Sequence, residues 1–475
     1  DDAIASYTQA IALKPDYAQA HCNLGITLKK LERLDDAIAS YTQAIALKPD
    51  YAQAHCNLGI TLKKLERLDD AIASYTQAIA LKPDYAEAYS NLGNTFKELG
   101  RLDDALASHT QAIALKPDFA EAHSNFGSTL HDFGKFEEAI QSYKKAIELN
   151  PNFAIAHHNL SYTFLSYGML KEGFNEYEWR WQTPKSNFQQ RNFTYPIWDG
   201  KTELKDKTIL IWCEQGIGDT LNWSSCLSIV TSRAKHVVLE CQKKLVPLLS
   251  RSFPNVEVKA ENRTLDAVRD DFDLHLPMGS LYKHFIDEIM ENGMASSYLV
   301  PDPDRVKFWK ERLNSLGNGP YIGISWKSSN MSVKRLPNYS SISEWSEILS
   351  IPNVTFINLQ SKDFEDDLAK VREELGVTVH NFDDLDQWNN IDDVAAFCTA
   401  IDIVICNHGS VPIISGGVGT TTKLANWRQS SWNTILNNPV GSSVRIFERD
   451  TFEPWDNIFS LIKQEILKLN KNWSS

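Results

Sequence analysis

Residues 1–34 recur without a single change at 35–68, and the pattern continues with substitutions from 69, 103 and 137. A period of 34 restricts residues 1–182 to a stack of like units, because such a unit buries its apolar face only against its neighbours. Each unit reads as two helices. One follows a pair such as Pro49-Asp50, where proline suits a helix start, and the other begins at acids such as Asp35-Asp36, which favour a helix N-terminus. Gly25, Gly59, Gly93 and Gly127 recur where the paired helices approach closely. The expected outcome is an α-solenoid with an extended concave face, a surface that suits another polypeptide.

Within the period, Leu24-Gly25, Ala37, Tyr41, Ala44 and Pro49 stand where the tetratricopeptide (TPR) pattern places them, although His21 occupies a position often held by Trp. This part of the chain resembles a TPR array. Asn23, Asn57, Asn91, Asn125 and Asn159 fall once per unit at the same place in the first helix, and the last three persist while their neighbours change to Tyr89-Ser90, His123-Ser124 and His157-His158. A carboxamide offers one donor group and one acceptor, so a row of them can pair with extended peptide whatever its side chains. The row is similar to the asparagine ladder of protein O-GlcNAc transferase, which implies a peptide groove. The alternative is that each Asn bonds to a neighbouring helix and serves only the stacking.

The array is expected to end in a helix around 171–182, rich in rings at Phe174, Tyr177, Trp179 and Trp181, which pack on the next domain. Residues 183–205, with Pro184, Pro196 and Gly200, read as a linker. From Thr208 the periodicity changes to short β-branched runs at 208–213, 236–241, 256–259 and 272–276, then 321–326, 354–359 and 402–406, with helical stretches between. Alternating strands and helices predict parallel sheets in two α/β units, residues 206–300 and 301–475, the second closed by a helix at 455–469. Ligands of such sheets lie beyond the carboxyl ends of the strands.

The first strand runs into Glu214, Gln215, Gly216, Ile217, Gly218 and Asp219, then a helix. The third glycine of a dinucleotide fingerprint is missing, and an acid at the turn repels pyrophosphate, so a nicotinamide cofactor is excluded. Asp219 reads either as the helix N-cap or as a general base facing the crevice. The segments EQGIGDTLNW, HVVLEC, DFDLHLP, GISWKSSN, FINLQS and DIVICNHGSVPIISGGVG together resemble heptosyltransferase-like glycosyltransferases of the GT-B fold, a family that bacteria fuse to TPR arrays in protein- and flagellin-modifying enzymes. That resemblance implies two Rossmann-like domains. It also implies Asp219 as the base on an acceptor loop with Gln215, Gly216 and Gly218, and a nucleotide-sugar held by the C-terminal domain.

A departing nucleoside diphosphate needs its charge neutralised by cations and amides, and GT-B enzymes generally use no metal. The candidates follow strand ends: Ser325, Lys327, Lys334 and Arg335, then Gln360, then Asn407, His408, Gly409, Ser410 and Val411, whose successive amides open a helix. Related heptosyltransferases carry an acid-Thr pair before a His in this last segment, so the donor's identity stays open. Gly416, Gly417, Gly419 and Thr420 to Thr422 read as a turning backbone with hydroxyls near the ligand, without the lysine of a P-loop. Asp271-Phe272-Asp273 has the letters of a metal-binding pair but starts a strand, where it marks a solvated edge, and no metal or other cofactor is expected.

The formal charge of −13 argues against nonspecific attraction to nucleic acid. No apolar run approaches the roughly 18–20 residues that span a bilayer. Seven cysteines without metal-ligand spacing suit a reducing, cytoplasmic setting. The expectation is an inverting, metal-independent GT-B glycosyltransferase that moves a sugar from a nucleotide-sugar to Ser or Thr of a protein bound by the TPR groove. Two alternatives are a noncatalytic TPR adaptor with a degenerate transferase domain, and a transferase acting on glycolipid or polysaccharide.

Overall fold

The computed structural model describes residues 2–183, 190–292, 297–317, 319–327, 338–427, 443–450 and 453–470. The chain divides into two compact units, Asp1–Thr163 and Phe164–Ser475. The break comes before the aromatic helix, not after residue 182.

The first unit is a run of antiparallel helices: α1 (Asp2–Leu13), α2 (Ala18–Lys30), α3 (Leu34–Leu47), α4 (Ala52–Lys64), α5 (Leu68–Leu81), α6 (Ala86–Glu98), α7 (Leu102–Leu115), α8 (Ala120–Asp132), α9 (Phe136–Leu149) and the start of α10 (Ala154–Tyr167). Acids sit in the first turns of α3, α5, α7 and α9, as the repeat predicts. Pro49-Asp50 forms the turn before α4 instead of opening it, and the Pro49 carbonyl accepts a hydrogen bond from His55 Nε2 at 3.2 Å. His21, His123 and His157 repeat that clamp on Pro15, Pro117 and Pro151, which gives the histidine a purpose at a position where Trp is common.

Each pair of helices closes on a glycine. A Cβ at Gly25 or Gly59 would lie 2.7 Å from the ring of Tyr41 or Tyr75, which are fully buried. At the third pair the ring against Gly93 is His109. Its two nitrogens are buried with no hydrogen-bond partner, and burial, helped by Lys97 and Lys63, lowers its pKa to about 3.

The second unit begins with the end of α10, α11 (Leu170–Glu176) and a 3-10 turn at Tyr177–Gln182. Its rings do pack on the α/β part: Phe174 stacks on Tyr282 with centroids 4.8 Å apart, and Trp181 lies 5.8 Å from Trp212. The stretch expected as a linker is, over its described part, built into the first sheet. Arg191 is buried between Glu240, at 2.6 Å, and Asp266, and Trp198 N donates to the His275 carbonyl at 2.8 Å. Two arginine-carboxylate contacts and a buried indole anchor a segment that Pro and Gly alone make look loose.

Two parallel sheets follow. The first has the order β3-β2-β1-β4, with β1 (Thr208–Trp212), β2 (His236–Cys241), β3 (Glu257–Ala260) and β4 (Leu274–Pro277). The second has the order β10-β9-β8-β5-β6-β7, with β5 (Tyr321–Ser325), β6 (Thr355–Asn358), β7 (Val379–His380), β8 (Ile403–Cys406), β9 (Thr421–Trp427) and β10 (Val444–Arg449). Helices α12 (Ile217–Ser224), α13 (Leu227–Thr231), α14 (Val246–Ser252) and α15 (Leu281–Asn292) serve the first sheet; α16 (Pro303–Asn314), α17 (Ser346–Leu349), α18 (Glu365–Leu375), α19 (Ile391–Ala400) and α20 (Val411–Gly417) serve the second.

β7, β9 and β10 escape the sequence reading. The supposed ligand loop at 416–422 is the end of α20 and the start of β9, with Thr420 Oγ1 bonded to the Cys398 carbonyl and Thr422 Oγ1 to Ser415 Oγ, each at 2.7 Å. Thr422 to Trp427 pair with β10, a neighbour that only the three-dimensional fold supplies. The last helix, Asp456–Asn470, buries Ile458, Phe459, Ile462 and Ile466 in the core of the second sheet and leaves Leu461 exposed.

The buried His109 yields a pH test. Its pKa is lower folded than unfolded, so the unfolded chain takes up the proton first, and stability is full above about pH 6.5 and falls as the pH drops toward 3. At pH 5 the loss is on the order of 2 kcal/mol. His109→Tyr, which copies Tyr41 and Tyr75, is expected to shrink the drop in unfolding temperature between pH 7.5 and pH 5; an undiminished drop would show that His109 is not its source.

Candidate functional site

In a parallel sheet the chain leaves every strand at the same edge, and a crevice opens where successive connections depart in opposite directions. In the first sheet this point lies between β1 and β4, in the second between β5 and β8. The loop after β1 and the segment after β8 face each other. A Cβ at Gly218 would stand 3.2 Å from Ile413 Cδ1 and 3.8 Å from Ser410 Cα, and α12 packs on α20. Gly218 therefore matters for close approach of the two halves. Gly216 has φ −70° and ψ 176°, an extended backbone open to any residue.

Gly216, not Asp219, is the N-cap of α12. Asp219 is the third residue of that helix and half-buried, with its carboxylate turned back over the loop: a Cβ at Gly216 would lie 3.4 Å from Asp219 Oδ2. A carboxylate in a first turn also gains from the helix dipole. Gln215 is fixed from both sides, its Nε2 donating to Tyr177 Oη and its carbonyl accepting from Gln242 Nε2 at 2.7 Å.

Several donor-side candidates are committed to holding strand ends. Gln360 Oε1 accepts from Lys327 N at 3.1 Å and Ser325 Oγ at 3.3 Å, which clips the end of β5 to the end of β6. Asn407 Oδ1 accepts from Ser340 Oγ at 2.6 Å while its Nδ2 donates to the Ala425 carbonyl at 3.0 Å. Lys327 Nζ pairs with Asp367 at 2.7 Å, and that same carboxylate oxygen accepts from Trp326 Nε1. Gln360, Asn407 and Lys327, expected as donor contacts, thus each also tie strand ends together. Lys334 and Arg335 lie outside the described residues.

His408, Gly409, Ser410 and Val411 follow the end of β8 and lead into α20. A Cβ on Gly409 would meet nothing within 4 Å, and Ser410 is exposed. Pro412 removes one amide from the start of α20.

Two constellations escape the sequence reading. Lys244, after β2, and Lys362, after β6, hold their ammonium groups 5.0 and 4.0 Å from the ring centre of Trp388, and Lys244 Nζ donates to the Trp388 carbonyl at 2.8 Å. Neither lysine forms an ion pair among the described residues. Asp386, the acid that bears on Lys244, accepts bonds from the amides of Trp388 and Asn389. The second constellation surrounds Glu214, buried at the end of β1. Burial pushes its carboxyl up to about 7 against the opposing pull of Arg180, 3.0 Å away. No local spacing announces either group, since their members are brought together from segments far apart in the chain.

Among the described residues no group of three or more His, Cys, Asp or Glu could hold a metal ion. Asp271 is held by Arg269 at 2.8 Å, and Asp273 accepts from Thr208 N at 2.8 Å.

In the first unit the five asparagines are each partly exposed at equivalent positions. Asn125 Nδ2 donates to Ser90 Oγ at 3.1 Å, and Asn57 and Asn91 make long contacts of 3.9 Å with Cys22 and Cys56. Each of these three reaches the first helix of the preceding repeat, so part of the carboxamide serves the stack. The backbone carbonyls of all five accept from a threonine one turn on, Thr27, Thr61, Thr95, Thr129 and Thr163.

Comparison with known proteins bears on these observations. The TPR repeat family matches residues 1–32, 27–66, 61–100, 93–132 and 127–168. Protein FlbA of Caulobacter vibrioides is 31% identical over 296 residues, 59% of this chain and 49% of FlbA, so the chain spans about half the length of that curated relative. Among solved structures, TTC0263, a thermophilic TPR protein of Thermus thermophilus, is 26% identical over 35% of this chain and 92% of its own, with a TM-score of 0.32. YrrB, a TPR protein with an unusual peptide-binding site, is 22% identical over 36% of this chain and 89% of its own, with a TM-score of 0.31. Family match and helix geometry agree: the chain carries TPR repeats over residues 1–168, a protein-interaction scaffold joined to an α/β unit.

Proposed function

We propose that the α/β unit is an inverting GT-B glycosyltransferase and that the TPR array selects its protein acceptor. The observation that carries this reading is the meeting of the two switch-point segments: Gly218 abuts Ser410 and Ile413, with Asp219 one residue along. A crevice between two parallel sheets, with an acid on one wall and successive amides on the other, suits displacement at a sugar's anomeric carbon.

In the proposed step Asp219 takes the proton of a Ser or Thr hydroxyl, whose oxygen bonds to the anomeric carbon as the bond to the phosphate oxygen breaks. The nucleoside diphosphate leaves with the electron pair, and the configuration inverts. Amides of 408–411 face the departing phosphate. Lys244 and Lys362 replace Lys327 as the cations offered to it, because Asp367 neutralises Lys327 while these two lack an acidic partner among the described residues. No step needs a metal.

A second reading is a noncatalytic adaptor, favoured by the engagement of Lys327, Gln360 and Asn407 in structural bonds. The readings separate by experiment. With a panel of nucleotide-sugars, intact-mass analysis of a co-expressed protein partner is expected to show added sugar. Asp219→Asn is expected to cut that transfer about 10²- to 10⁴-fold without moving the unfolding temperature. No sugar on any partner, and no thermal stabilisation by any nucleotide-sugar, would leave the adaptor.

The two lysines provide an independent check. Lys244→Ala combined with Lys362→Ala is expected to weaken nucleoside diphosphate binding, read by calorimetry, at least about tenfold. Unchanged affinity would return the cationic role to residues elsewhere in the crevice.

A further inference from the structure

We propose that Arg180 is a positioning residue: it sets the geometry of the 214–219 loop from a segment that precedes the sheets. Arg180 is fully buried, and its guanidinium reaches three separate segments. Nη2 donates to Glu214 Oε1 at 3.0 Å and to Ser280 Oγ at 2.9 Å; Nη1 donates to Glu178 Oε1 at 2.6 Å and to the Tyr177 carbonyl at 3.2 Å. The rings of Tyr177 and Trp181 flank the charge, 4.5 and 4.4 Å from ring centre to guanidinium carbon.

The joined segments are the ones that open the crevice of the first sheet. Glu214 ends the β1 edge, and Gly279 and Ser280 follow β4, the strand on the other side of the switch point. Gly279 N also donates to Glu214 Oε1 at 3.1 Å, and a Cβ on Gly279 would collide with that oxygen, so glycine is required there for the carboxylate to dock. The next residue, Gln215, is tied to Tyr177 by its side chain. Both residues before Gly216 are thus anchored on 177–180, and α12 with Asp219 starts directly beyond them.

A buried ion pair is a poor device for stability alone, since apolar or neutral groups of similar size often serve equally well. What the fork of Arg180 adds is direction: its planar donors fix the two loops at a set separation. The role holds whatever chemistry the loop performs; only the kinetic readout below rests on the transferase reading.

The test compares the full-length protein with Arg180→Met, Glu214→Gln and the double variant. Arg180→Met alone leaves the buried Glu214 without its cationic partner and is expected to destabilise. The double variant removes that mismatch and is expected to recover the unfolding temperature, yet to keep amide exchange in the 214–224 peptide about tenfold faster than wild type, with exchange in 208–212 unchanged. With whichever nucleotide-sugar the mass analysis selects, its kcat is expected to fall about tenfold and its donor KM to stay within about twofold. Should the double variant fail to fold, Arg180→Lys, which retains charge without the fork, is expected to show the same loop-specific exchange. Wild-type exchange of 214–224 in the folded variant overturns the proposal. If wild-type protein transfers no sugar, the transferase reading falls and the exchange result alone decides the role of Arg180.

Discussion

All strands of both sheets pair in parallel, and this constraint organises the second unit. Parallel neighbours require crossovers, so the chain leaves each strand at a common edge and returns on a face of the sheet. Residues able to do chemistry then collect beyond that edge. Here the exits of β1 and β8 are brought within van der Waals reach at Gly218 and Ile413. A Cβ at 218 would require the Ile413 side chain to give by a few tenths of an ångström.

The helical unit rests on a simpler contact, a ring laid on a glycine. Tyr41 on Gly25 and Tyr75 on Gly59 are copies of one solution, and His109 on Gly93 is a variant that keeps the shape while introducing two unpartnered nitrogens. Leaving both nitrogens unpartnered costs stability at any pH, and the cost grows in acid, when the unfolded chain takes up a proton that the folded one resists. The asparagine row serves the stack as well: Asn125 commits an N–H to Ser90 in the preceding repeat.

Much of the candidate site was legible because local rules suffice for it. The glycine loop after β1, the exit of β8 and the aromatic segment at 174–181 all follow from strand ends and ring content. The internal bonds of Lys327, Gln360 and Asn407 were not legible, for one physical reason: a polar side chain at a strand end lies equally near the next strand. Asp367 claims Lys327, Ser325 and the Lys327 amide claim Gln360, and Ser340 claims Asn407. The run at 416–422 misled because glycine and threonine suit a turn as well as a helix end followed by a strand.

The sequence by itself determined the repeat, the placement of helix starts at acid pairs, the alternation of strands and helices, and the glycine loop with its acid, since each is a property of residues close along the chain. Tertiary structure decided where the units divide, that 190–205 belongs to the first sheet, which cations keep an acidic partner, and that Arg180 meets Glu214. Those depend on segments far apart in the chain, as the bonds from Arg180 to Glu214 and Ser280, 34 and 100 residues away, illustrate, and no local pattern encodes which distant partner desolvates or neutralises a charge.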